Sequence, residues 1–326
     1  MTAEKKKTLI LCAILVLCLI VLALLSILVV KNIMPTENVP EAQYVELSIS
    51  ESMGLETAKA KLDELGIAYE IIPTNSRTAN RVEKIEYLGK EEDGKRLCEV
   101  GSTVKIHANE VGIDKVVYLT FDDGPTRDNT TDILATLQKH GIKASFFVEG
   151  QDVALYPDRM VATVEGGHLI ACHSYSHKYE SVYASVDSFL SEIELYENAM
   201  INALGEETFN SLPKILRFPG GTNNNYLTNS ESLQYILAVR GAGYAVYDWT
   251  ALTGDADGSG NNNAEYFISS LSKSLEKSKN EGLPLIVLMH DKWSTNEALD
   301  EIISFLVSEG YYFDTVDNCP EYTFVE

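Results

Sequence analysis

Two adjacent carboxylates, Asp122 and Asp123, stand where an apolar stretch of the sequence ends. Residues 116–120 are apolar and partly β-branched, as in a buried strand, and Gly124 and Pro125 interrupt the pattern directly after the carboxylates. In α/β sheets the chemistry is carried out at the carboxyl ends of the strands. The sequence therefore predicts that Asp122 and Asp123 belong to a functional site.

A pair of histidines, His173 and His177, follows further along the chain. Because they are four residues apart, both rings can lie on one side of a helical turn or a short loop, as a metal ion requires. With a carboxylate from Asp122 or Asp123 they make a two-histidine, one-carboxylate set that leaves positions open for water. The second carboxylate can then accept a proton from water whose pKa the cation lowers.

These residues fall at equivalent points of a repeating pattern that starts near residue 115. Apolar strands alternate there with amphipathic helical stretches. Seven strands are predicted, near residues 116–120, 144–148, 168–172, 215–218, 244–247, 285–289 and 311–313. Parallel strands with outer helices form a barrel or a doubly wound sheet, and we expect an α/β fold with an irregular (β/α) barrel of about seven strands.

Arg217 and His290 also stand at predicted strand ends, at the end of the fourth strand and after the sixth. In a barrel these points converge on one face. An arginine beside a carboxylate favours its ionised form, so Arg217 is the expected partner of the proton-accepting aspartate. A structural ion pair at the barrel rim is the alternative for Arg217.

The amino-terminal part of the chain has a different character. Residues 8–30 are an uncharged apolar run of 23 residues, preceded by three lysines. Such a run can cross a bilayer as a helix, and the lysines predict a cytoplasmic tail at residues 1–7. We expect a single-pass membrane protein whose catalytic domain is extracellular; a cleaved signal peptide is the alternative. Residues 31–44 contain Pro35 and Pro40 and are predicted to be a linker.

The net charge bears on the partners of the protein, and the cysteine count bears on its disulfide bonds. The net charge of −22 excludes nucleic acid as a partner, because its phosphates would be repelled. Three of the five cysteines, Cys98, Cys172 and Cys319, lie outside the apolar run, an odd number that gives no disulfide framework.

Residues 45–108 are predicted to form a small α+β domain, with a helix near residues 55–65 and strands near 68–72, 82–88 and 103–108. This stretch resembles a PASTA domain in the run GLETAKAKL that starts at Gly54 and in Gly101-Ser102-Thr103-Val104. PASTA domains bind cell-wall muropeptides, so the resemblance implies wall binding. A spacer that lifts the next domain off the membrane is the alternative.

Residues 115–326 resemble the polysaccharide deacetylases of the NodB-homology type, whose catalytic domain is an irregular barrel with fewer than eight βα units. Four motifs in the family's order carry the resemblance: Thr120-Phe121-Asp122-Asp123-Gly124-Pro125, His173-Ser174-Tyr175-Ser176-His177, Arg217-Phe218-Pro219-Gly220-Gly221 and Leu288-Met289-His290-Asp291. Members of this family use a divalent metal ion to remove acetyl groups from sugars.

The resemblance implies a role for each matching residue. Asp122 would be the general base, tethered by Arg217, and His290 the general acid. The metal ligands would be Asp123, His173 and His177. Leu288 would line the acetyl pocket, and the backbone N–H of Gly220 would help to stabilise the oxyanion. Asp255, in a segment similar to the family's fourth motif, would raise the pKa of His290; Asp248 is the competing choice.

Two positions depart from the family. Many members carry an aromatic residue where this chain has Gly220, and a tryptophan where it has Ala256. Less aromatic surface implies a wider or differently shaped sugar cleft.

Together these features predict a membrane-anchored, metal-dependent hydrolase that deacetylates cell-wall glycan. We expect peptidoglycan rather than chitin oligomers or acetylated xylan, because the anchor and the wall-binding-like domain hold the enzyme at the wall. Zinc is the expected metal, although cobalt, nickel and iron suit the same ligands. A catalytically silent wall-binding or sensing protein is one alternative. An iron oxygenase with the same ligand set is another, disfavoured because its usual scaffold is an antiparallel jelly roll.

Overall fold

The computed structural model describes residues 42–74, 76, 78–258, 260 and 262–325, together with Leu17 and residues 19–22. The chain divides into two compact units, residues 1–45 and residues 46–326. In the first unit Leu17 and residues 19–22 are helical and exposed. The rest of the predicted membrane segment at 8–30, and the predicted linker up to residue 41, lie outside the described residues. Within the described parts, no helix is both long and apolar enough to span a bilayer.

The first strands and helix of the described chain are short. They are β1 (Tyr44–Glu46), α1 (Leu55–Glu64), β2 (Tyr69–Pro73), β3 (Lys84–Glu86), β4 (Gly89–Glu92), β5 (Lys95–Glu99) and β6 (Val104–Ala108). Helix α1 buries Leu55, Ala58 and Leu62, which share one helical face. Strand β6 pairs in parallel with β2 and antiparallel with β3. The predicted helix and three strands are confirmed within a few residues.

A hairpin of β4 and β5 was not predicted from the sequence. Its turn is Asp93-Gly94, and both residues have positive φ, 51° and 74°. This dipeptide is a strong signal for a two-residue hairpin turn. The hairpin was not recognised because its two strands are rich in Lys and Glu and lack alternating apolar residues.

The second part of the chain alternates strands and helices around one sheet. Its strands are β7 (Val116–Gly124), β8 (Ser145–Val148), β9 (Leu169–Cys172), β10 (Ile215–Leu216), β11 (Ala245–Val246), β12 (Ala251–Leu252), β13 (Leu285–His290) and β14 (Tyr312–Phe313). Its helices are α2 (Asn129–His140), α3 (Gly150–Leu155), α4 (Pro157–Glu165), α5 (Tyr179–Val182), α6 (Val186–Leu204), α7 (Glu206–Ser211), α8 (Asn229–Gly241), α9 (Ala264–Asn280) and α10 (Trp293–Ser308).

The sheet has the order β11-β10-β9-β8-β7-β13-β12, and β14 pairs with the first residues of β7. All of these pairs are parallel. The seven predicted strands and the α/β class are confirmed. Strand β12 is an eighth strand, which was not predicted because it is only two residues long. In the described residues β11 and β12 do not pair with each other, so the sheet curls into a half-barrel and does not close.

Strand β7 lies inside the sheet, between β8 and β13, and is buried on both faces. Val117, Leu119 and Phe121 pack beneath the outer helices, whereas Val116 and Tyr118 point to the opposite face. A parallel strand covered on both sides shows a continuous apolar run instead of alternation, which is the pattern in the sequence. The position of the carboxylates at its end is therefore fixed by a strand that is buried along almost its whole length.

The chain segment at residues 78–81 joins the small amino-terminal elements of the second unit to the sheet. Thr78 pairs with Phe313 of β14, and the Ala79 N–H donates to the Phe313 carbonyl at 2.6 Å. Arg81 donates to Asp314 at 2.6 Å and also bonds Asp317. Residues 46–108 are thus packed on the half-barrel through main-chain and charged contacts.

We expect Arg81→Ala to destabilise the protein strongly at neutral pH. Asp314 is fully buried, and burial raises its pKa to about 6 although Arg81 opposes this. Without Arg81 the ionised carboxylate would lack its charged partner, and loss of one member of a buried pair costs about 3–5 kcal/mol. Urea unfolding at pH 7.5 measures the loss. The loss should shrink near pH 5, where protonated Asp314 needs no cation.

Lys84→Ala is the matched control, because Lys84 pairs with Glu86 on the surface, where both side chains are largely exposed. Such pairs contribute little. Equal unfolding midpoints for the two variants would show that Arg81 does not stabilise the junction.

Candidate active site

The carboxyl ends of four strands of the sheet, β7, β9, β10 and β13, bring the predicted residues together. Asp122 and Asp123 lie at the carboxyl end of β7, and His290 is the last residue of β13. His173 follows β9, and Arg217 follows β10. His290 is paired in register with Asp122 across the two strands. The convergence expected for a barrel is therefore present in the open half-barrel.

A three-residue cluster lies at this edge, formed by Asp123, His173 and His177. Asp123 Oδ1 lies 3.5 Å from Nε2 of His173 and 3.5 Å from Nε2 of His177. One potential ligand atom from each residue falls within 4.8 Å of the other two. Asp123 and His177 have positive φ values, 67° and 54°, which few residues other than glycine adopt. Such strained backbone is typical of functional sites.

The hydrogen bond of His173 prepares its ring to bind a cation. Nδ1 lies 2.9 Å from the Arg217 carbonyl oxygen. Because a carbonyl only accepts, Nδ1 carries the proton and Nε2 presents a lone pair toward Asp123. Burial lowers the pKa of His173 to about 3, so the ring is neutral at physiological pH. Two histidine nitrogens and a carboxylate oxygen at these positions fit a divalent cation.

A buried glutamate holds the loop between the two histidines. Glu192 of α6 accepts hydrogen bonds from the N–H groups of Tyr175 at 3.0 Å and Ser176 at 2.7 Å, and from the Ser176 hydroxyl at 2.9 Å. The sequence did not point to Glu192, because a glutamate on an amphipathic helix is ordinarily solvent-facing. Only the packing of α6 against the loop reveals its position.

Asp122 lies between Arg217 and the cluster. Its Oδ1 accepts a hydrogen bond from Arg217 Nη1 at 2.7 Å, and its Oδ2 is 3.6 Å from His173 Nε2. Arg217 is fully buried, inside the sheet and not at its rim. Burial raises the pKa of Asp122, and the charge and hydrogen bond of Arg217 oppose this. The carboxylate is thus desolvated but oriented, as a proton acceptor should be.

His290 is held by Asp255. Its Nδ1 lies 3.0 Å from Asp255 Oδ1, and its backbone N–H donates to Oδ2 at 2.8 Å. Burial lowers the pKa of His290, but the hydrogen bond and charge of Asp255 outweigh it, and the pKa is raised. Asp248, the competing choice, accepts instead from the backbone N–H groups of Thr222 and Phe324, at 2.9 and 2.7 Å.

Two further predicted residues line the same edge. Leu288 and His290 border a cavity of about 270 Å³ that also contacts Leu252 and Ala256. Gly220 has φ 74°, and among the described residues its N–H donates to no backbone or side-chain acceptor. A small pocket with both apolar and charged lining residues, and an available N–H donor, thus accompany the acid and base candidates.

Asp291, which belongs to the last motif but received no role from the sequence, holds the turn after the carboxylates. It accepts from the hydroxyls of Thr126 at 2.8 Å and Thr130 at 2.5 Å. A Cβ at Gly124 would lie 2.6 Å from Asp291 Oδ2, so the close approach requires glycine. The Gly-Pro turn is therefore matched to its neighbour on β13.

The fold and this site define an α/β half-barrel protein with a two-histidine, one-carboxylate cluster flanked by a buried carboxylate and a histidine. The family model for polysaccharide deacetylase matches residues 110–237. The match confirms the resemblance of this part of the chain to the polysaccharide deacetylases, and the predicted anchor and PASTA-like domain lie outside the matched residues.

Individual relatives agree with this assignment. The chain is 29% identical over 211 residues to the peptidoglycan-N-acetylglucosamine deacetylase of Bacillus cereus, covering 61% of this chain and 68% of that protein. It is 29% identical over 219 residues to the enzyme of the same description from Listeria monocytogenes, covering 66% of this chain but only 41% of the relative.

Solved structures give the same picture. The catalytic domain of the peptidoglycan N-acetylglucosamine deacetylase of Eubacterium rectale superimposes with a TM-score of 0.57 at 29% identity, covering 65% of this chain and 94% of that one. A CE4 esterase of Streptococcus mutans gives a TM-score of 0.56 at 26% identity, with 62% and 86% covered. The similarity is confined to about two thirds of this chain.

We expect Glu192→Gln to weaken divalent-cation binding by about 10- to 100-fold without unfolding the protein, because residues that orient ligands have effects of this size. The amide keeps one acceptor but loses the charge that binds two N–H groups. Isothermal titration of the metal-free protein with zinc measures the change. Glu194→Gln, an exposed change on the same helix, is the control. Equal affinities for both variants would contradict a role for Glu192 in positioning the histidines.

Proposed function

We propose that this protein hydrolyses the N-acetyl groups of cell-wall glycan, releasing acetate and leaving an amine on the sugar. The observation that carries the proposal is the position of Asp122. It is held by Arg217 on one side, faces the Asp123–His173–His177 cluster on the other, and is paired in register with His290 across the strands. A proton acceptor and a proton donor thus flank one small space beside a cation-binding cluster.

In the proposed reaction each residue acts at a definite atom. The Asp122 carboxylate accepts a proton from the water that attacks the acetamide carbonyl carbon. The Gly220 N–H hydrogen-bonds to the oxygen on which negative charge develops. Nε2 of His290, whose Nδ1 is held by Asp255, delivers a proton to the departing nitrogen, and the C–N bond breaks.

A divalent cation held by Asp123, His173 and His177 would polarise the acetyl carbonyl and acidify water when bound. The neutral, oriented His173 and the three converging ligand atoms support such binding. We propose zinc, and cobalt, nickel and iron suit the same ligand types.

We infer the proposed substrate from the names of the relatives. Those from Bacillus cereus and Listeria monocytogenes are described as acting on N-acetylglucosamine of peptidoglycan. Another relative, at 30% identity over 206 residues, is a xylanase and deacetylase, so other acetylated glycans stay within the proposal. The parallel half-barrel differs from the antiparallel jelly roll of the iron oxygenases that share this ligand set.

We further propose that residues 8–30 anchor the protein in the membrane with residues 46–326 outside, and that residues 45–108 serve as a wall-binding, PASTA-like domain. The 23-residue apolar run and the lysines before it support the anchor. Helix α1 and the three predicted strands β2, β3 and β6 support the small domain.

We expect Asp122→Asn to lower acetate release from N-acetylglucosamine oligomers by about 10²- to 10⁴-fold, the usual effect of losing a general base. The amide oxygen can still accept from Arg217, so zinc affinity should change by less than about threefold. Acetate assays of residues 46–326 and zinc titration measure the two effects. Wild-type protein that released no acetate with any divalent metal would favour a silent wall-binding protein instead.

We expect Asp255→Asn to shift the alkaline limb of the kcat profile to lower pH. Asp255 raises the pKa of His290, so the wild-type ring keeps its proton to a higher pH than the variant would. The acidic limb, set by Asp122, should stay in place. Acetate release from pH 5 to 10 gives both limbs. Asp248→Asn, which alters the other buried aspartate, should leave the alkaline limb unmoved, and equal shifts would contradict the assignment.

A further inference from the structure

Three tyrosines form a stacked aromatic cluster beside the Asp123–His173–His177 cluster. The ring of Tyr226 lies 4.8 Å from that of Tyr179 and 6.1 Å from that of Tyr183, at interplanar angles of 30° and 29°. Tyr226 nevertheless remains 51% exposed. One part of its surface is therefore covered by the other two rings, and a large part is open to solvent.

This cluster is joined directly to the site. The Tyr179 ring packs edge-on against His177, with centroids 5.3 Å apart. The Tyr183 hydroxyl donates to the carbonyl of Pro219 at 2.7 Å, which ties the cluster to the turn that carries the Gly220 N–H. Tyr179 also lies within the electrostatic reach of Asp122 and Asp123, which raise its pKa in addition to the larger effect of burial.

Tyr179 takes the space that a side chain at position 220 would need. A Cβ on Gly220 would lie only 2.9 Å from the Tyr179 hydroxyl oxygen and 3.2 Å from its ring. The sequence had suggested that the cleft lacks an aromatic residue here. The ring is present, but it comes from the loop after His177 and not from the turn itself.

The hydroxyl of Tyr179 is available to a ligand. In the described part of the chain it has no hydrogen-bond partner, and the residue is half-buried, so the group is accessible to a molecule in the site. Ordinarily a half-buried tyrosine hydroxyl is hydrogen-bonded to protein or water. A sugar hydroxyl or amide can supply that bond.

We propose that Tyr226 and Tyr179 form a sugar-binding subsite next to the reacting acetamide. Tyr179 donates a hydrogen bond to the sugar that loses its acetyl group, and the exposed face of Tyr226 stacks on the next sugar of the glycan. This inference rests on the proposed function, since it takes the reacting group to be at the Asp122 site. It adds a preference for oligomers, because the stacking contact with Tyr226 is made by a second sugar.

The chemistry of the two partners is complementary. A pyranose presents axial C–H groups on its faces, which are apolar and weakly positive. The face of an aromatic ring is apolar and weakly negative. We expect such a contact to change affinity by about threefold to tenfold, which corresponds to about 0.7–1.4 kcal/mol.

The experiment separates binding from catalysis. Affinities for N-acetylglucosamine chains of one to four units are measured by isothermal titration in the Asp122→Asn background, and kcat/KM for acetate release in the otherwise wild-type protein. Tyr226→Ala should lower tetramer affinity and kcat/KM by about threefold to tenfold, and monomer values by less than twofold. Tyr179→Phe should weaken all lengths about equally, because it removes only the hydroxyl.

Leu237→Ala is the matched control, since it truncates an exposed apolar side chain on α8, 58% exposed, whose helix otherwise packs on the core. It should leave the length dependence unchanged. Tyr226→Phe keeps the ring and should bind the tetramer far better than Tyr226→Ala.

The outcomes distinguish the subsite from the proposed function. If Tyr226→Ala loses no tetramer affinity, or loses equally for monomer and tetramer, the stacking subsite is wrong even when acetate is released. If the Tyr179→Phe variant binds chains of every length as tightly as the protein with Tyr179, the proposed hydrogen bond from Tyr179 to the sugar is wrong. If oligomers bind with the predicted length dependence but no acetate appears, the subsite stands and the deacetylase proposal fails.

Discussion

The hydrogen bond between Arg217 and Asp122 constrains the shape of the whole half-barrel. Arg217 follows β10 and Asp122 lies on β7, and β9 and β8 separate these strands in the sheet. In a flat sheet three strand spacings amount to roughly 14 Å, beyond the reach of an arginine side chain. The observed separation of 2.7 Å therefore requires the sheet to curl so that both residues face the same interior. The site can therefore form only when the sheet is curved.

Burial of a guanidinium is tolerated only when its donors are paired, and those of Arg217 are. They bond Asp122 and Thr120 through Nη1 and the carbonyls of Tyr247 and Asp248 through Nε and Nη2. The Phe147 ring covers the guanidinium, with its centroid 3.9 Å from the central carbon. The backbone carbonyl of Arg217 also accepts a hydrogen bond from His173 Nδ1. One arginine thus orients both the proposed base and one residue of the cluster, which couples their positions.

The site also concentrates unfavourable backbone conformations. Asp123, Ser174 and His177 all have positive φ, at 67°, 69° and 54°. Each costs free energy that the surrounding structure must offset. Glu192 offsets part of it by bonding the loop between the histidines, and the Ser174 hydroxyl accepts from the His177 N–H at 3.1 Å. Ser174 belongs to the second motif, but Glu192 lies outside all of the motifs, and this is why the motifs alone do not account for the geometry.

The sequence by itself determined seven strands of the large sheet, their alternation with helices and the identity of the clustered residues. Local pattern suffices for these, because a buried strand must be apolar and its end must carry turn residues. The pairing of His290 with Asp255 instead of Asp248, the role of Glu192, the open edge between β11 and β12 and the Tyr179 ring beside Gly220 were decided only by the tertiary structure. Each depends on which distant segments meet across the curled sheet, and no local spacing encodes that. Gly220 shows the difference most clearly: its missing side chain predicted less aromatic surface in the cleft, but the Tyr179 ring from another loop lies beside it.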